Sequence, residues 1–190
     1  PVPIKLISQT TIGATLGNES IQKSLVAGFW GFILVAIFMI LIYRFPGFLS
    51  VISLLIYVAI VLAIFKLIPV TLTLAGIAGL ILSIGMAVDA NVLIFERMKE
   101  ELRAGRDAMA AIDQGFLRAW TSIRDSNVSS LITCAILFWF GSSIVKGFAI
   151  TLAIGIVISM FSAITITRRF LRLVAKWKIS QFRWLYGVKK

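Results

Sequence analysis

Long apolar runs separated by short polar breaks fill most of the chain, and only the opening PVPIKLISQTTIGATLGNESIQKS and the basic C-terminus depart from that rhythm. Five segments, 25–43, 48–65, 71–95, 128–145 and 148–167, approach the roughly 20 apolar residues that cross a hydrocarbon core of about 30 Å. Each is predicted to be a transmembrane helix. Pro46-Gly47, Pro69 and Lys146-Gly147 mark three of the connections, because proline and glycine end helices and favour tight turns. Ser126-Asn127 is expected to cap the fourth span, with Asp125 at the positive end of that helix dipole.

Residues 96–126 carry a different pattern. Met98, Leu102, Met109, Ile112, Phe116, Trp120 and Ile123 recur at helical steps, and the opposite face is charged. This predicts an amphipathic connector at the membrane surface, broken into two pieces at Gly105. Its stripe suits either packing against the bundle or docking of a partner. At the N-terminus, VPIKLIS reads as a short strand and Asn18 to Ser24 as the helical approach to the first span.

Composition agrees with the pattern. Of 190 residues, 59% are hydrophobic and 14% charged, against about 45–50% and about 25% in soluble domains. The mean hydropathy is +1.00. Cys134 has no cysteine partner and there is no histidine, which excludes internal disulfides, the common zinc sites and imidazole-based catalysis or proton shuttling within the chain. With no nucleophile–base pair or metal cluster visible either, an enzyme is not expected.

Charge then orients the spans, since Lys and Arg accumulate on the cytoplasmic side. Fifteen of them fall on one side: Arg44, six from Arg97 to Arg124, and eight from Arg168 to Lys190. The other side has four, Lys5, Lys23, Lys66 and Lys146. An extracytoplasmic N-terminus and a cytoplasmic C-terminus are expected from this, and the net charge of +11 is assigned to anionic lipid headgroups rather than nucleic acid. Trp30 and Trp139 suit an interfacial belt as well as they suit packing. An odd number of spans starting outside implies an earlier span, so the chain is expected to be a fragment. Residues 1–24 would end an extracytoplasmic domain and lead in, 25–170 form the membrane domain, and 171–190 form a basic cytoplasmic tail.

The third span holds the sharpest chemical signal. Asp89 in GLILSIGMAVDANVLIFERMKEE is the only acid inside any of the five segments. A central Asp costs about 2.5–3.5 kcal/mol on insertion scales, so such a group normally faces a protein interior or a water path. Desolvation would bring its protonation equilibrium towards neutrality, suiting it to carry a proton. The same carboxylate could bind Na⁺, and a structural Asp remains the alternative.

At 100° per residue Gly85 shares the Asp89 face, whereas Asn91 points elsewhere. Gly79, Ser83, Ala87 and Asn91 recur every four residues, the small-residue spacing that lets helices approach closely; Gly85 is grouped with these packing positions. Asn91 is read as interhelical packing or as a ligand. Ser129, Thr133 and Thr151 could serve a proton path or simply bond to helix carbonyls. No Lys or Arg lies mid-span, so a charged partner for Asp89 would have to come from another subunit or half.

GMAVDANVLIFERMKEE, the surface helix, and IRDSNVSSLITCAILFWFGSSIVKGFAITLAIGIVISMFSAITITR resemble, in order and spacing, the C-terminal membrane region of the SecD family of protein-export subunits. The opening PVPIKLISQTTIGATLGNESIQKSL is similar to that family's end of the periplasmic domain. This resemblance implies an all-α five-helix transmembrane bundle, spans two to six of a six-span repeat of the RND superfamily, with a cytoplasmic amphipathic helix and a short remnant of the extracytoplasmic domain.

It further implies a role in late, ATP-independent preprotein translocation driven by the proton motive force or a sodium gradient, in the bacterial inner membrane and without a bound cofactor. Asp89 falls on the family's proton-passage aspartate. SecF would supply the matching six spans and the second acid and arginine, with SecYEG and YajC as further partners. The preprotein would meet the missing periplasmic domain. An RND-type exporter of small molecules or lipids is the alternative, and an assembly subunit without ion flux a third.

Overall fold

The computed structural model describes residues 14–175, apart from Pro69 and Thr71. The VPIKLIS strand, the turn assigned to Pro69 and the tail beyond Ala175 lie outside the described residues.

Every described element is helical. Their order is α1 (Ala14–Tyr43), α2 (Phe45–Leu67), α3 (Leu74–Arg103), α4 (Ala108–Phe140), α5 (Ser143–Ser162), a π-turn (Ala163–Thr167) and α6 (Arg168–Ala175). The last three form one continuous rod, so the chain makes a five-helix bundle. Among the described residues, four stretches are long and apolar enough to cross a membrane: Glu19–Tyr43, Phe45–Leu67, Leu74–Arg103 and Ser143–Ala175. α4 falls short because its N-terminal half is the amphipathic connector; only its C-terminal half is apolar.

Helix ends obey local chemistry. α1 and α2 are joined through Arg44 alone, at φ 54°, with Pro46 in the first turn of α2, where a missing N–H costs nothing. Thr73 caps α3 by accepting a hydrogen bond from the Gly76 N–H at 3.1 Å. Gly105, at φ +89°, turns the chain between α3 and α4, a conformation that favours glycine.

Two expected boundaries move. Ser126 and Asn127 do not cap a helix; both lie inside α4, where the Ser126 hydroxyl and the Asn127 amide donate to the Ile123 carbonyl at 3.1 and 2.9 Å. The buried face of the connector continues from Ile123 through Asn127 to Cys134 in the fourth apolar segment, so the helix has no end there to cap. The last connection falls at Gly141-Ser142 rather than Lys146-Gly147, which lie within α5. Here Gly141 sits against the Leu137 carbonyl, leaving no room for a Cβ, and its extended backbone ends α4.

α3 is the central helix and packs most extensively on α5 and α4. The connector stripe is buried against it: Met98 and Leu102 from α3 meet Ile112, Phe116 and Ile123 from α4 in one core cluster. Gly115 makes that approach possible, since a Cβ there would lie 2.7 Å from the Met98 backbone nitrogen. The segment is thus the second arm of a hairpin, its stripe facing the first arm. α1, in contrast, leaves Leu25, Phe29, Leu34 and Leu41 exposed, as a helix does when lipid rather than protein is its solvent.

Candidate functional site

The α3–α5 contact is built on small residues from both sides. A Cβ on Gly79 would strike the Thr151 hydroxyl and lie 2.8 Å from the Phe148 carbonyl; one on Gly155 would strike Ser83. With no side chains between them, the backbones approach closely. Tyr57 of α2 closes this seam. Its hydroxyl shares a 2.8 Å hydrogen bond with Ser83 and donates to the Gly155 carbonyl at 3.3 Å, linking three helices through one buried atom.

Further along the same face of α3 lies Asn91, 4% exposed, whose side-chain carbonyl accepts a 3.0 Å hydrogen bond from the Thr167 hydroxyl. Thr167 ends the π-turn. Such a turn carries one more residue than an α-turn and rotates the face presented by α6, and π-turns recur at functional sites.

Asp89 is on another side of α3. It is exposed at the surface of the isolated chain and has no hydrogen-bond or ion-pair partner among the described residues. Beside it a cavity of about 240 Å³ opens between α3 and α4, lined by Met86, Asp89, Ala90 and Leu93 from one helix and Ile123, Ser126, Asn127 and Ser130 from the other. Its polar groups are one carboxylate, two hydroxyls and one amide. Water and a small cation or proton are the species such a lining accommodates.

The remaining sequence candidates separate cleanly. Ser83, Ala87 and Asn91 are buried, and with Gly79 they lie on the interior side of α3. Gly85, expected with the packing residues, is not one of them: it is exposed, with nothing within 4 Å of a Cβ, because it shares the outward Asp89 face. Thr133 is exposed and donates to the Ser129 carbonyl at 3.1 Å. Ser129 is also exposed, and neither residue lines the Asp89 cavity. Thr151 is fully buried and donates to the Gly147 and Phe148 carbonyls at 3.1 and 3.0 Å. Sequence reasoning missed Ser126 and Asn127 as cavity residues and Thr167 as the partner of Asn91. The first two were legible had the connector's helical phase been carried through to Ser130; the third depends on the π-turn.

A second polar cluster ties the end of the last rod to α4. Asp113 accepts hydrogen bonds from Arg168 at 3.2 Å and from Arg172 at 2.9 Å, and the Arg168 guanidinium lies 5.0 Å above the Phe116 ring. Burial alone would raise the Asp113 carboxyl, but the hydrogen bonds and charges of the two arginines hold it below the usual carboxylate range. On the α3–α4 hairpin, Glu101 is buried between Arg106 at 2.8 Å and Arg118 at 2.7 Å.

Comparison with known proteins extends this picture. The sequence profile of the family described as protein export membrane protein SecD/SecF, C-terminal, matches residues 2–177. The chain is 62% identical to the protein translocase subunit SecD of Thermobaculum terrenum over all of its own length and 38% of that protein. It is 59% identical to the SecD subunit of Synechocystis over 92% of this chain and 37% of that one. Among solved structures, SecDF from Thermus thermophilus, a translocon-associated membrane protein, superposes with a TM-score of 0.84 at 40% identity, covering 86% of this chain and 23% of that one. SecDF in a super-membrane-facing form gives 0.80 at 40% identity, with coverage of 86% and 22%. The chain thus spans little more than a third of the SecD proteins it matches.

Proposed function

The chain belongs to the SecD/SecF family of protein-export membrane proteins, as a C-terminal membrane region of the SecD type, and we propose that it couples a transmembrane proton or sodium gradient to late, ATP-independent translocation of preproteins. The observation that carries this reading is Asp89, a carboxylate without a partner among the described residues, set at the mouth of a polar cavity in an otherwise apolar stretch of α3. A group so placed can exchange an ion with water in the cavity and present its charge to a second membrane half packed on the same face. In this reading SecF provides that half, SecYEG and YajC complete the assembly, and the preprotein is handled by an extracytoplasmic domain before α1. The basic end of the chain is cytoplasmic, as the distribution of Lys and Arg indicates.

The test is Asp89→Asn in the full-length protein with its partner subunits, reconstituted in vesicles under an imposed gradient. Gradient-dependent completion of translocation is expected to cease while ATP-driven initiation continues. Unchanged gradient dependence would exclude the coupling role.

A further inference from the structure

The junction between α4 and α6 holds a cavity unconnected with Asp89. It measures about 370 Å³ and is lined by Met109 and Asp113 from α4 and by Arg169, Arg172 and Leu173 from α6. Three features distinguish it from an ordinary surface groove. First, its charge is unbalanced: Arg169 and Arg172 line it with one carboxylate, Asp113, which is already engaged by Arg172 and by the neighbouring Arg168. Arg169 is exposed and has no acidic partner among the described residues. Second, the neighbouring Arg168, which does not line the cavity, keeps a buried Nε with no acceptor among the described residues, so the arginine cluster as a whole is short of anions. Third, the cavity stands where the apolar stretch of the last rod gives way to RRFLRL, and Leu173, 58% exposed, and Met109 provide an apolar wall beside the guanidinium groups.

We propose that this cavity binds the phosphodiester headgroup of an anionic membrane phospholipid. Arg169 and the free side of Arg172 face the phosphate, in the forked geometry that guanidinium groups offer to phosphate oxygens. The upper acyl segment then lies along Leu173 and Met109. Asp113 is part of the site: its charge orients Arg172 and Arg168 and is outweighed by them. Charge complementarity selects this occupant, because a zwitterionic headgroup would bring a cation into a site already short of anions. An apolar wall at the bilayer boundary favours a lipid over a free phosphate.

The experiment uses the full-length protein in micelles containing either phosphatidylglycerol or phosphatidylcholine, with retained lipid counted by native mass spectrometry. Preferential retention of phosphatidylglycerol is expected, and Arg169→Gln should weaken it about fivefold, the effect of one basic side chain near a lipid surface. Arg124→Gln, which removes a charge from α4 outside the cavity, should leave it unchanged. Because Arg169 makes no ion pair among the described residues, its replacement leaves the Asp113 clamp intact, and the adjoining Leu173→Ser tests the apolar wall separately, again with weaker retention expected. Equal retention of the two lipids, equal loss in Arg124→Gln, retention unchanged by Arg169→Gln, or displacement of the lipid by inorganic phosphate would each overturn the proposal.

Discussion

The Thr167 hydroxyl, at the end of a π-turn, donates a 3.0 Å hydrogen bond to the side-chain carbonyl of Asn91, and both residues are buried. Asn91 stands two positions after Asp89 on α3, so the register of the last rod is tied to the helix that presents the acid. Thr167→Val keeps the shape but removes the donor, leaving a buried amide oxygen without that partner. A loss of about 1 kcal/mol is expected in unfolding from detergent, with a smaller further loss when Asn91→Leu is added than Asn91→Leu causes alone.

Close approach of α3 and α5 yields a paired prediction. Gly79→Ala forces a Cβ to 2.8 Å from the Phe148 carbonyl, a backbone atom that cannot step aside. It should destabilise the bundle by about 1–3 kcal/mol. Gly85→Ala, on the same helix with nothing within 4 Å of the new methyl, should be neutral or raise stability by up to about 1 kcal/mol, since alanine is the better helix former. Thermal unfolding of the two variants in one detergent checks the contrast.

Tyr57 spans three helices with one hydroxyl. Tyr57→Phe keeps the ring but leaves the Gly155 carbonyl without this donor, while the Ser83 hydroxyl is free to donate to the Leu80 carbonyl at 2.7 Å. A loss of about 1 kcal/mol is expected, together with faster protease cutting near Gly155 in the detergent-solubilised protein.

The α4–α6 clamp should depend on pH in a defined direction. Because the folded state holds the Asp113 carboxyl below its ordinary value of 3.8, its contribution is fully present above that value and is lost as pH falls through the lowered one. Asp113→Asn should therefore be less stable than the parent near neutral pH and converge with it in strong acid. The partners are part-exposed, so the difference should stay below about 1 kcal/mol. Denaturation midpoints across acidic pH would show whether the two curves converge.

Asp89→Asn should separate stability from function. Asp89 has no partner among the described residues, so its replacement removes no internal contact and the unfolding free energy should move by no more than about 0.5 kcal/mol. A large destabilisation would instead mark Asp89 as structural.

Much of this protein is legible without coordinates, because in a bilayer the backbone must satisfy itself and apolar length alone forces helices. The five-helix bundle, the break at Gly105 and the opposed faces of α3 are all readable from spacing in one dimension. Other features depend on neighbours. Gly79 and Gly85 look alike in sequence, and only the position of α5 makes one a contact and leaves the other open. Ser126 and Asn127 have the residue types of a cap, yet α4 runs through them, its buried face passing from Ile123 through Asn127 to Cys134. Asn91 and Thr167 lie 76 residues apart, and a π-turn that no local pattern announces brings them together. Sequence determined which segments are helical and which faces are apolar, because those depend on each segment's own side chains. Tertiary structure decided which polar groups meet, because a hydrogen bond between helices requires both registers at once.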